Sequence, residues 1–177
     1  MIWPFEKVSG HALVYFAMYC ILCWQKLLGW ISSVKNQGSC GSCVAFATAG
    51  LAEATLIKAG AAKSGLDLAE QWLVDCKPAG ANGCNGAGVT SYSMWMPKNG
   101  NLMHENAYPY KASATFQCPS GPYWSPGYKL EKTVIDWKCS EEKIMKQIME
   151  YGSSIMAVYA SDYGFGNYKQ GVFDKCR

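Results

Sequence analysis

The chain has 177 residues, half of them hydrophobic, with seven tryptophans and eleven tyrosines, which excludes a disordered chain and is enough to bury a sizeable core. Its formal net charge of +3 is small and no basic run concentrates it, so a nucleic-acid partner is not expected. Nine cysteines are many for a reducing compartment and point to an oxidising one.

Residues 1–28 stand apart from the rest. From Val8 to Gln25 there is no Lys, Arg, Asp or Glu, and Ala12 to Trp24 is almost wholly apolar. This fits the hydrophobic part of a signal peptide or signal anchor. Glu6 and the single Lys7 make a poor positive leader, however, and no small-x-small cleavage site follows. A mis-joined exon is the competing explanation, and membrane contact is expected only if residues 8–25 are a real anchor.

A string rich in small residues follows, Val34-Lys35-Asn36-Gln37-Gly38-Ser39-Cys40-Gly41-Ser42-Cys43. Beyond it, the absence of proline predicts a helix from about Ser42 to Lys58, stopped by Gly60. Its residues Phe46, Ala49, Leu51, Ala54 and Ile57 cover most faces, the pattern of a helix buried on several sides. Asp67 and Glu70 read as a capping box for a second helix. A third helical stretch runs from about Val89 to Met96 and ends near Pro97 and Gly100. The Pro/Gly-rich residues 116–127 then cross to a second unit. There, Lys129 to Trp137 alternates like a strand, and Ser140, with Glu141 and Glu142, opens another helix. Ile144, Met145, Ile148 and Met149 make its apolar stripe, read as core packing. Ser154 to Ala160 reads as a buried strand.

Cys43 is the residue on which function turns. A thiol in the first helical turn sits where unpaired N–H groups and the helix dipole favour negative charge, and the thiolate is the nucleophile. Gly38 and Gly41 allow a tight turn and a close substrate approach. Two other chemistries compete. Cys20-x-x-Cys23 and Cys40-x-x-Cys43 satisfy a four-cysteine zinc spacing, but Cys20 and Cys23 lack the turn residues of a zinc knuckle. A thioredoxin-like pair at Cys40 and Cys43 would need a preceding strand in a βαβ pattern.

The string from Gln37 to Cys43 closely resembles the nucleophile segment of the papain and cathepsin family of cysteine peptidases. Ala69-Glu70-Gln71-Trp72-Leu73-Val74-Asp75-Cys76, Gly83-Cys84-Asn85-Gly86-Ala87 and Tyr108-Pro109-Tyr110 are similar to further family segments in order and spacing, as is Tyr168 to Phe173. The resemblance implies an α+β, papain-like two-lobe fold. The helical left lobe, with its long central helix, would be complete over residues 29–115, and the β-barrel right lobe incomplete over 116–177. It makes Cys43 the nucleophile, with the Gln37 amide and the Cys43 N–H forming the oxyanion hole. It assigns Gly41, Ser42, Gly86, Ala87, Gly88 and Val89 to substrate binding, with a preference for a bulky apolar side chain beside Gly88 and Val89. It pairs Cys40 with Cys84 and Cys76 with Cys118, and leaves Cys176 without its partner. It implies no cofactor and no metal. Partners would be peptide or protein substrates and cystatin-like inhibitors, in a lysosomal, endosomal or extracellular setting.

The sequence departs from the family pattern at Val44, where an aromatic residue is usual, and at Ala87, where glycine is usual. Cys139 has no counterpart in it. The family's histidine and asparagine lie about 130–150 residues beyond the nucleophile. Here the only histidines are His11 and His104, and His104 is read as a solvated loop residue away from the site. The chain is therefore expected to be truncated before its general base. The alternative function is a catalytically inactive fragment or homologue that at most binds peptides or inhibitors.

Overall fold

A computed structural model describes residues 29–76, 78–99, 101–118, 127–130, 132–135 and 140–157. The apolar N-terminal unit with His11, Cys20 and Cys23, and Cys139, Cys176 and the segment Tyr168 to Phe173 lie outside them. The described elements are α1 (Cys43–Lys58), α2 (Glu70–Asp75), α3 (Ser91–Asn99), β1 (Asn101–Leu102), β2 (Tyr128–Lys129) and α4 (Glu141–Tyr151). β1 and β2 pair antiparallel, with Asn101 opposite Lys129 and Leu102 opposite Tyr128.

α1 contacts each of the other three described helices. Four of its five alanines, Ala45, Ala49, Ala52 and Ala54, are buried, and their small side chains let neighbouring elements approach closely. The helix stops where expected: Ala59 caps it with its N–H on the Thr55 carbonyl, and Gly60 follows at φ 71°, a left-handed conformation that costs glycine little. Every residue of α2 is buried, and Trp72 lies against Trp95 of α3 with ring centroids 5.4 Å apart. Burying Trp72, Leu73 and Val74 is worth about 1.5–3 kcal/mol each, so this short helix is held by packing and not by propensity.

The expected capping box on α2 does not form. The cap position is Ala69, with no side-chain bond. Asp67 and Glu70 instead each place a carboxylate oxygen 2.6 Å from Lys35 Nζ, because a half-buried ammonium attracts them more strongly than the helix terminus does. α3 begins at Ser91, later than Val89, and continues through Pro97. Proline cannot donate to the carbonyl four residues back, that of Ser93. Thr133 Oγ1 donates to that carbonyl at 2.6 Å, so the helix passes the proline without a stranded acceptor.

The second unit differs more from expectation. Of the strand predicted over 129–137, Lys129 pairs within β2, and Leu130 and residues 132–135 join no ladder; residues 131, 136 and 137 lie outside those described. Residues 153–157 are likewise not a strand and Met156 is half exposed, against the predicted buried strand, whose residues 158–160 lie outside those described. An alternating segment becomes a strand only beside a partner. α4 has the predicted cap, Lys143 N–H on Ser140 Oγ, and ends at Gly152 in the left-handed region. Its stripe is not core, however. Ile144, Met145 and Ile148 are half-buried, Met149 is 65% exposed, and no residue of the helix is buried. Gly152 packs on the Ala54 carbonyl, and Lys58 Nζ donates to the Met149 carbonyl, so the end of α4 is what rests on α1.

Candidate active site

Three things hold the loop before α1. Gly38 turns at φ 61°, with its N–H on Asn36 Oδ1 at 2.8 Å. Cys40 is buried and joined to Cys84, and Cys76 is joined to Cys118, so both pairings implied by resemblance are present. With its sulfur bonded to Cys84, Cys40 is unavailable to a zinc site or to a redox pair with Cys43. Gly41 then donates its N–H to the Cys84 carbonyl at 2.8 Å. A Cβ on Gly41 would stand 2.5 Å from that oxygen, so only glycine lets the two loops join here.

These restraints deliver Cys43 as the first residue of α1, an exposed free thiol. Ser42, at the cap position, is buried and receives Phe46 N–H on its carbonyl. Gln37 donates Nε2–H to the Cys40 carbonyl at 2.9 Å. The amide carries two N–H bonds, so this contact orients the group while leaving the second proton for an incoming oxygen.

The glycine-rich loop is laid beside this segment by the bridge between Gly41 and Asn85. Ala81 and Ala87 stand opposite each other, flanked by Asn82 N–H on the Gly86 carbonyl and Gly88 N–H on the Gly80 carbonyl. That alternation leaves the N–H and C=O of Ala87 outside the pair, the arrangement an added strand needs. Gly86 has its carbonyl committed to Asn82. Gly88 is exposed and Val89 is 40% exposed. Val89 also lines an open cavity of about 370 Å³, together with Leu51, Ala52, Met96, Leu130 and Val134. Cys43 is not among its lining residues.

Beneath the loop lies a charged cluster that sequence reading missed. Lys35 Nζ is 3.1 Å from Glu53 Oε1 and 2.6 Å from both Asp67 and Glu70. Burial works to lower the Lys35 pKa, but the bonds to Asp67 and Glu70 and the charge of Glu53 outweigh it and push it up. Burial raises Glu70 despite Lys35, and burial also raises Glu105 against the Tyr110 N–H that it accepts. A signal was present: Glu53 is the sole acidic residue of α1. Asp75, at the end of α2, accepts from Gln71 Nε2, Tyr108 Oη, Thr115 N–H and Phe116 N–H. Burial would raise its pKa, yet the bonds from Gln71, Thr115 and Tyr108 hold its carboxyl below the ordinary value.

His104 is half-buried, not solvated. Its ring meets the edge of Tyr128 at 5.7 Å and its backbone bridges to Leu68.

A family model described as papain family cysteine protease matches residues 22–177. Human cathepsin L2 is 35% identical over 153 residues, covering 85% of this chain and 44% of that protein. Thiol protease SEN102 of Hemerocallis is 35% identical over 146 residues, covering 82% and 39%. The solved digestive procathepsin L2 proteinase of Tenebrio molitor superposes with a TM-score of 0.54 and 36% identity, covering 60% of this chain and 33% of that one. The chain thus spans less than half the length of the relatives it matches.

Proposed function

The chain belongs to the papain family of cysteine proteases, and from that membership we propose a cysteine-type peptidase activity centred on Cys43. One observation carries the reading: an exposed free thiol opens α1, beside an amide already oriented by the Cys40 carbonyl. The Cys43 sulfur attacks the scissile carbonyl, and the oxygen takes the negative charge as the C–S bond forms. The Cys43 N–H and the free proton of Gln37 Nε2 stabilise that oxygen. The C–N bond then breaks, the amine leaves with a proton, and water hydrolyses the acyl-enzyme. Ala87 pairs with the backbone of an extended peptide, with Gly41, Ser42 and Gly86 shaping the approach. Gly88 and Val89 favour a bulky apolar side chain, a preference supported by the apolar cavity that Val89 opens onto.

In this account, residues 29–115 form the nucleophile-bearing lobe and 116–177 begin a second one, with 1–28 a separate unit. Substrates are peptides or proteins, cystatin-like proteins are inhibitors, and the two disulfides suit a lysosomal, endosomal or extracellular setting. A second reading also has support. The proton on Cys43 needs a base, and the His104 ring packs against Tyr128 while its backbone bridges to Leu68. The 177 residues alone would then bind peptides without hydrolysing them. Fluorogenic peptide amides carrying a bulky apolar residue two before the scissile bond separate the two readings. Cleavage abolished by Cys43→Ala supports the peptidase. Saturable binding of the peptide without cleavage supports the inactive homologue, and neither result would sink both.

A further inference from the structure

We propose that Tyr110 is a positioning residue for the oxyanion hole, an inference that rests on the peptidase reading above. Its phenol reaches both halves of the candidate hole at once. Tyr110 Oη donates to the Gln37 carbonyl at 2.9 Å and lies 2.6 Å from Ser42 Oγ. A phenol has one proton. With that proton on Gln37, Ser42 is the donor to Tyr110, and a directed chain runs from the Ser42 hydroxyl through the Tyr110 phenol to the Gln37 backbone.

The two ends of this chain are the backbones that carry the oxyanion donors. Gln37 bears the amide, and Ser42 immediately precedes the Cys43 N–H. Tyr110 is itself fixed from two other directions. Its ring meets Phe46 edge-on at 4.8 Å, one turn along α1 from Cys43, and its N–H donates to Glu105 Oε1 at 2.7 Å. Gln37 and Cys43 are separated by a loop with a glycine at φ 61°, and the Gln37 amide reaches only the Cys40 carbonyl within that loop. The phenol is therefore a strut between the two donors, and it sets their spacing.

Peptide aldehydes test this, because they form a hemithioacetal. The Cys43 sulfur bonds to the aldehyde carbon, the carbonyl π bond breaks, and the thiol proton ends on the new oxygen, which sits in the hole. Iodoacetamide reads the thiol without building such an oxygen: carbon bonds to sulfur, iodide leaves with the electron pair, and the thiol proton goes to solvent. For the full chain, Tyr110→Phe should weaken peptide-aldehyde binding by about tenfold. It should leave the iodoacetamide rate at Cys43 within about twofold. Unchanged aldehyde affinity overturns the proposal, and so does an equal fall in both readouts, which marks a merely structural role. Ser42→Ala removes one leg of the strut and should weaken the aldehyde by about threefold. Should Tyr110→Phe fail to fold, an unchanged aldehyde affinity in Ser42→Ala overturns the proposal by itself. A wild-type chain whose Cys43 is alkylated but which takes up no aldehyde overturns the peptidase reading and this inference together.

Discussion

Replacing Lys35 by methionine removes the cation that, among the described residues, pairs with Glu53, Asp67 and Glu70. Asp67 is 53% exposed on its side chain and rehydrates at little cost, but Glu53 and Glu70 are 1% and 2% exposed and cannot. Stranding buried carboxylates in this way costs about 3–5 kcal/mol at neutral pH. The loss depends on pH in a definite direction. Without Lys35, buried Glu70 loses the ammonium that offsets its burial, so its folded pKa, already raised, rises further. The stability of the variant is therefore best retained in acid and falls as pH rises through that folded value. Urea unfolding followed by tryptophan fluorescence should show a deficit of about 3–5 kcal/mol near pH 8 that shrinks to about half or less near pH 4.5. Lys35→Met combined with Glu53→Gln and Glu70→Gln should recover most of it. A deficit under about 1 kcal/mol, or one equal at both pH values, would refute the buried-cluster account.

Asp75→Asn weakens four accepted hydrogen bonds and should cost about 1–3 kcal/mol at neutral pH. The folded pKa of Asp75 is depressed, so its contribution is present above the unfolded value and lost as pH falls through the folded one. Thermal melts of wild type and variant should therefore converge in strong acid. Glu70 and Glu105, both raised, act in the opposite sense, and Glu105→Gln should cost more in acid, where wild-type Glu105 is protonated and carries no burial penalty, than at neutral pH when the same melts are run. Gly41→Ala places a methyl against the Cys84 carbonyl and should lower stability by about 2–4 kcal/mol in urea titrations, with slower Cys43 alkylation as the two loops separate.

What could be read in advance was local. The helix that opens at Cys43, its stop at Gly60 and the Ser140 cap each depend on residues within a few positions of one another. The disulfide partners and the nucleophile came from resemblance carried by short motifs. The features that went unread are long-range. Lys35 takes Asp67 and Glu70 away from the capping box from more than thirty positions earlier. Thr133 rescues the carbonyl freed by Pro97 across 40 residues, so a proline that locally ends a helix does not end this one. Over residues 132–135 the alternation matches exposure, with Lys132 and Val134 exposed and Thr133 and Ile135 half-buried, but pairing depends on a neighbouring strand and not on the segment itself. Tyr110 was visible as part of a turn motif, whereas its role depends on which carbonyl its hydroxyl reaches.

The central claim, that this fold presents Cys43 as a substrate-directed nucleophile, is tested most directly with a peptidyl epoxide. The folded chain would be incubated with the probe, digested, and mapped by mass spectrometry, alongside Cys43→Ala. A single adduct on Cys43 that competes with peptide aldehyde is the predicted result. No adduct in protein shown to be folded, or the same labelling in Cys43→Ala, would contradict it.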